Sequence, residues 1–432
     1  MQRPAAGASP DTAKYRRDRT TLVLFGGPVE YGFLIYSMSA ATELVGRDLA
    51  VTKAVAGLHG TLFAVGGIAA GLMAARLVRR FGRRRVIVGG MLGGGLFILA
   101  LALGPVAGLT LPAAFLAAVC SITGMAASYT AMTAHNGDKA PAALSEATCV
   151  AAAVGCLAPL GVSASVGLGW GWRPAMALGA LVAFGVAWIV WRTPAEEALD
   201  GPEWARLGRA GGSRVGPGPR GGEAGSRTEA VRPASSAKPP GRAVGRGGTM
   251  RAFGGFVAAN GLSSMAEFGA IFWAGTLLTA RTGASPGTAA GSVTAFIAGL
   301  TLGRLTARGF ALRLGGARLL IAGYCFALAG LAALWTTTSL AVGIAGLALT
   351  GFGLGPGYPL TMDLSLRRSP LGMDRSQAVI QTANGCASAV APFLLGWFAD
   401  LWGVHLAYLV VPGIVVVAVG AVLFGAGRPS AE

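Results

Sequence analysis

Long uncharged apolar runs, separated by short polar connections, fill most of this chain. Taken at the ~20 residues a bilayer core requires, they predict twelve helices, near 20–41, 53–75, 86–104, 110–134, 146–167, 174–191, 253–280, 288–309, 318–336, 339–361, 377–398 and 405–426. Glycine and proline inside these runs are no objection, because both are commoner in membrane helices than in soluble ones. Polar positions within the runs recur at helical spacing. Asn260, Ser263, Ser264 and Glu267 share one face of helix 7, and Gln377, Gln381, Asn384 and Ser388 share one face of helix 11. Such stripes either bond helices together or line a cavity. The helix 7 stripe ends in an ionisable group near mid-helix, which favours a cavity; for the helix 11 stripe both readings stay open.

Ionisable residues inside the apolar runs are costly and tend to face a cavity or a partner. Glu30, His59, Glu146, Glu267, Arg304 and Asp363 fall on helices 1, 2, 5, 7, 8 and 10, while helices 3, 6, 9 and 12 are bare, as lipid-facing helices would be. Two of the acids repeat a pattern. VEYGFLIY (29–36) returns as AEFGAIFW (266–273), and ARLVRRFGRRRVIVGG (75–90) matches ARGFALRLGGARLLIAG (307–323) when Gly82 is set on Gly315, which also aligns Arg80 with Arg313 and Arg85 with Arg318. The repeat divides the chain into two six-helix halves of parallel topology. Between them the apolar pattern stops and Gly, Pro, Ser and Arg dominate, the composition of a flexible linker. The predicted domains are therefore a tail (1–19), a first bundle (20–191), a disordered linker (192–250), a second bundle (251–426) and a short tail (427–432).

Composition agrees with a membrane protein: 53% hydrophobic and 12% charged residues, with mean hydropathy +0.60. The net charge of +17 raises the possibility of a nucleic-acid partner. Position argues against it, since only Arg47, Lys53, Arg173 and Arg281 of the 35 Lys and Arg fall on one side of the predicted membrane. That bias places both termini in the cytoplasm. A cleaved signal peptide at the N-terminus is disfavoured by Glu30 in the middle of its would-be apolar core. The five cysteines lie in apolar spans without metal-ligand spacing and read as small packing residues; no metal site and no cofactor are expected.

With these features in place the sequence resembles the major facilitator superfamily over all but the tail and linker. RRFGRRRV is similar to that family's loop between helices 2 and 3, in which Arg80, Gly82, Arg83 and Arg85, with Arg313, Gly315 and Arg318 in the second copy, would serve conformational change. GWGWRPAM (169–176), GFGLGPGYP (351–359) and NGCASAVAPFLLGWFAD (384–400) add lesser matches. The resemblance implies helices 1, 4, 7 and 10 lining a central path. The chain departs from the pattern at Arg79, where the family loop usually has an aspartate that stabilises one conformation, and at Leu312 in the second copy. Helix 4 lacks the arginine of proton-coupled drug exporters, and VGCLAPLG in helix 5 is only part of their motif.

The expected fold is all-α integral membrane, two pseudo-symmetric six-helix bundles. The expected function is secondary transport, by proton-coupled export of a small organic compound across the cell membrane; proton-coupled uptake of a small metabolite or sugar is the alternative. An enzyme lacks a nucleophile or metal constellation, and GFGLGPG, inside an apolar helix with no following Lys-Ser/Thr, is no phosphate loop. A channel or receptor suits matched central acids in duplicated halves less well. Glu30 and Glu267 are the candidates for proton coupling, because a carboxylate in a low-dielectric cavity can take up a proton when open to water and hold it when closed. Arg304 is a conceivable packing partner for Glu267, and of the two acids the later copy is favoured. Tyr31, Phe268, Asn260, Ser263, Ser264, Gln377, Gln381 and Asn384 are the candidate cavity residues. Tyr36 and Trp273 lie about 240° round the helix from their glutamates and are not expected on the glutamate face. His59 reads as a helix-to-helix hydrogen bonder. The partners expected are the substrate, protons and the lipid bilayer, with no nucleic acid, for a monomer.

Overall fold

The computed structural model describes residues 17–194, 199, 246–371 and 373–427. Most of the expected linker and both outer tails lie outside these. The helices are α1 (Arg19–Leu24, continuing as Gly26–Asp48), α2 (Lys53–Phe81), α3 (Arg83–Leu103), α4 (Ala107–Asn136), α5 (Ala140–Gly155, continuing as Leu157–Gly167) and α6 (Arg173–Arg192). The second half holds α7 (Arg246–Thr282), α8 (Pro286–Leu314), α9 (Gly316–Thr336), α10 (Leu340–Leu354, continuing as Gly357–Arg368), α11 (Met373–Ala407) and α12 (Val410–Ala426). No strand occurs among the described residues.

Eight of these helices, counting the joined segments of α5 and of α10 as one each, are long and apolar enough to cross a membrane, and Val410–Ala426 is a shorter apolar one. The remaining three, α1, α7 and α8, carry Glu30, Glu267 and Arg304. A boundary that differs from the hydropathy pattern is the start of α7 at Arg246, inside the stretch read as linker. Gly403, at φ 78° and ψ 156°, interrupts the helix that runs to Ala407, and the turn toward α12 falls there, between the apolar runs read as 377–398 and 405–426.

Prolines explain the three discontinuous spans. A proline has no N–H and its ring clashes with the carbonyl four residues back, which loosens the preceding turn. The breaks at Phe25, at Cys156 and at Gly355–Pro356 fall just before Pro28, Pro159 and Pro359. The two halves repeat their packing: α2 on α4 and α3 on α4 in the first half match α8 on α10 and α9 on α10 in the second. The turn between α2 and α3 is made by Gly82 at φ 85° and ψ 157°, and its counterpart between α8 and α9 by Gly315 at φ 80° and ψ 146°. Only glycine takes such angles without strain, and their recurrence shows that the aligned loops are one structure built twice.

Besides a lesser contact of α1 on α7, the halves meet along two seams, α2 against α11 and α5 against α8. These are equivalent under exchange of the halves. Both lie toward the end of the molecule opposite the termini: Gly57 packs on the Pro392 carbonyl, Gly60 on the Phe272 ring and Gly287 on Ser163. The Thr61 hydroxyl donates to the Ala389 carbonyl at 2.5 Å, and that of Thr294 to the Cys156 carbonyl at 3.2 Å. Past Ile68 and Gly385, toward the termini, Gly71, Leu72 and Met73 on α2 and Gln377, Val379 and Gln381 on α11 are exposed. The molecule is thus closed at the far end and parted at the end that bears the termini. At that end Asp18 caps α1, accepting from the Thr21 N–H at 2.8 Å. Desolvation works against charge on this carboxyl, but its hydrogen bonds with Thr21 and His135 hold it below the ordinary aspartate value.

Candidate functional site

Where the two seams end, Glu267 on α7 meets Arg304 on α8, whose Nη2 donates to both carboxylate oxygens at 3.1 and 3.2 Å. The pair is not sealed: 31% of the Arg304 side chain and 16% of the Glu267 side chain are accessible. Because the far end is closed, that access comes from the terminal end. Small residues set Arg304 in place. A Cβ at Gly299 would sit 2.0 Å from the Ala348 carbonyl oxygen, one at Gly303 2.2 Å from that of Phe352, and one at Gly355 2.5 Å from that of Leu300. α8 and α10 therefore touch backbone to backbone, as small-residue spacing of four permits.

Other side chains converge on this pair. Tyr36, from the opposite half, packs against Gly155, where a Cβ would come within 2.4 Å of its ring, and its side chain lies near Arg304. Tyr358 at the α10 break donates to Gln381 Oε1 at 3.1 Å. The sequence pattern has Tyr36 leaving the face of its own Glu30; what it does not reveal is that Tyr36 lies near the other half's arginine.

Glu30 has a different setting. It is 1% exposed, accepts one hydrogen bond from Ser121 Oγ of α4 at 2.8 Å, and its second oxygen has no partner. Gly94 of α3 makes the space, since a Cβ there would lie 2.9 Å from the carboxylate oxygen. The pseudo-symmetric acids are thus chemically unlike, one paired with a cation and reachable by water, the other enclosed with a single hydroxyl.

The helix 7 stripe is engaged between helices. Asn260 Nδ2 donates to Thr361 Oγ1 at 2.8 Å and to the Tyr358 carbonyl at 3.3 Å, Ser263 bonds the Tyr324 hydroxyl, and Ser264 donates to Asn384 Oδ1. The last contact joins the stripes of α7 and α11, while Gln377 stands exposed nearer the termini. Tyr31 stacks on Phe63 at 6.2 Å and Phe268 on Phe272 at 6.1 Å between ring centres. Trp273 is buried, with Nε1 donating to the Pro392 carbonyl at 2.9 Å. His59 bonds Thr110 Oγ1 at 2.9 Å and the Ala56 carbonyl at 3.1 Å, joining α2 to α4. Glu146 pairs with Arg17 at 2.5 Å and Asp363 with Arg367 at 2.8 Å, both toward the terminal end and away from the centre.

In the loop after α2, Arg80 lies over Phe81, and Arg85, Arg313 and Arg318 are exposed. The residue that grips is Arg84, which the repeat does not single out because its counterpart is Ala317. Its guanidinium donates to the carbonyls of Val190, Thr193 and Pro194 at 2.9, 2.6 and 2.9 Å, holding the end of α6. No group of His, Cys, Asp and Glu able to hold a metal occurs among the described residues.

Comparison with known proteins follows the same lines. The family model described as Major Facilitator Superfamily matches residues 24–273. Among solved structures, a bacterial homologue of the human lysosomal transporter Spinster, inward-facing and occupied, superposes with TM-score 0.69 at 14% identity, over 95% of this chain and 98% of that one. Its unoccupied inward-facing form gives TM-score 0.67 at 15% identity, over 94% and 97%. The nucleoside transporter NupG gives 0.68 at 12%, over 95% and 98%. No curated protein matches the sequence.

Proposed function

The chain belongs to the major facilitator superfamily and is a multi-pass membrane protein that carries out secondary transport by alternating access; from that premise we propose that it exports a small organic compound in exchange for protons across the cell membrane. The observation that carries this reading is the Glu267–Arg304 pair at the inner end of an opening that faces the termini. With the termini cytoplasmic, as the Lys and Arg bias indicates, this is the inward-open form, ready to load substrate from the cytoplasm. Here both Glu267 oxygens are held by Arg304. Protonation of Glu267 from the other side of the membrane removes the charge that holds Arg304, so that the guanidinium, with Tyr36, Tyr358 and Gln381, presents a different set of donors. A substrate whose donor takes the Glu267 carboxylate in place of Arg304 is displaced by that proton, so proton and substrate compete for one carboxylate, which is what antiport requires.

Glu30 supplies a second carboxyl in the first half. Burying its ion without a cation costs far more than burying the neutral acid, so its charge state is tied to whether the cavity reaches it. The ring faces of Tyr31 and Phe268 and the amides of Gln377, Gln381 and Asn384 suit a compound with a planar or apolar body and a few hydrogen-bonding groups.

The test is an imposed pH gradient across everted membrane vesicles, with proton movement read over a panel of compounds. Export predicts that a substrate releases protons from the acidified interior, and uptake predicts the opposite sign. Glu267→Gln, present in the membrane at normal level, should lose gradient-driven transport. Full retention of gradient-driven transport in that variant would sink the proposal.

A further inference from the structure

The first three N–H groups of α2 have no carbonyl within their own helix to bond. Val55 is served by the Thr52 side chain at 3.3 Å. The other two are served from the opposite half: the Lys53 N–H donates to Asp400 Oδ1 at 3.0 Å and the Ala54 N–H to Asp400 Oδ2 at 2.8 Å. Asp400 stands near the far end of α11, one turn beyond Gly396, where a Cβ would lie 2.3 Å from the Lys53 carbonyl oxygen. The carboxylate also faces the positive end of the α2 dipole, where negative charge is stabilised. The Lys53 ammonium is more distant, at 3.8 Å.

Among the described residues the pseudo-symmetric seam has no such contact. α8 begins with Pro286, which has no N–H, and its cap is its own Ser285, accepting from Thr288 at 3.2 Å. At the terminal end of α2, an exposed Arg79 would meet any approaching helix N-terminus with like charge. Among the described residues the clamp is therefore single, on one seam and at one end.

We propose that Asp400 is a latch between the halves that biases the resting protein toward the form closed at the far end, by capping α2 through its backbone rather than by pairing with Lys53. Opening that end parts α2 from α11 and hands both N–H groups to water, so the latch acts on one conformation only and not on the stability of either half.

The experiment uses the full chain with its five cysteines replaced and spin labels at Trp170→Cys and Thr338→Cys, which are exposed at the far ends of the two halves. Electron–electron distance distributions in lipid report how often that end is open. Asp400→Ala should raise the ratio of long to short distances about two- to five-fold, the range for one charge at a helix terminus. Lys53→Gln should leave it unchanged. An Asp400→Ala distribution that overlays the parent overturns the proposal, and so does a Lys53→Gln shift as large as that of Asp400→Ala, which would make the contact an ordinary ion pair. Should Asp400→Ala fail to fold, Asp400→Leu, which removes both acceptor oxygens at similar length, decides: a shift in the same direction supports the latch and no shift overturns it.

Discussion

Glu30 and Glu267 occupy matching places in a duplicated motif, and their surroundings make them different acids. Glu267 is held by Arg304 from α8, whereas Glu30 has only the Ser121 hydroxyl. Arg304→Gln leaves an unpaired, mostly enclosed carboxylate, and its cost should fall between the ~1 kcal/mol of an exposed pair and the roughly 3–5 kcal/mol of a buried one. The Glu267→Gln/Arg304→Gln double variant removes both charges and should melt above the Arg304→Gln single variant in detergent. Equal or lower melting would mean that the pair does not hold α7 to α8. Ser121→Ala takes the only donor from Glu30 and should cost about 1–3 kcal/mol, read in the same melting assay. The two acids and the arginine are legible in the sequence because a charge in an apolar run stands out. The neighbours are not: periodicity says that Asn260, Ser263 and Ser264 share a face, but not that Thr361, Tyr324 and Asn384 cover it. Tyr36 escapes for the same reason, since its role depends on a helix of the other half.

Between helices, glycine decides how closely the spans approach. Gly303 faces the Phe352 carbonyl oxygen with room for no side-chain atom, while Gly420 on α12 has nothing within 4 Å. Gly303→Ala should therefore push α8 off α10, costing about 1–3 kcal/mol as overpacking does and displacing Arg304, which begins at the next residue. Gly420→Ala should be neutral or slightly stabilising, since alanine is the better helix former by about 1 kcal/mol. Detergent melting of the two variants checks the contrast; equal losses would show that the α8–α10 approach is not what positions the site. Hydropathy could find twelve spans because burial in lipid is written in composition. It could not place the breaks at Phe25, Cys156 and Gly355, where the proline that matters comes later in the chain. Nor could it place the start of α7 at Arg246, since a helix that emerges from the bilayer continues without an apolar signal.

Across the whole molecule, the two halves are joined at one end only. Thr61 and Ala389 face each other across the α2–α11 seam, with the hydroxyl on the carbonyl at 2.5 Å; the equivalent seam between α5 and α8 carries the Thr294 bond to the Cys156 carbonyl. Each half is packed within itself through α3, α6, α9 and α12, none of which makes a substantial contact with the other half. The halves can therefore move as bodies, with the seams opening and closing while the internal packing is kept. Substrate can pass on the far side only if both seams part. A covalent tie across either one should then trap the form open at the terminal end without disturbing binding there. In a chain with its native cysteines replaced, Thr61→Cys/Ala389→Cys, oxidised or bridged by a short reagent, should lose net transport and regain it on reduction. Substrate should still protect the vestibule from labelling in the bridged protein. Transport that continues at the parental rate through a fully bridged protein would exclude alternating movement of the halves about this seam.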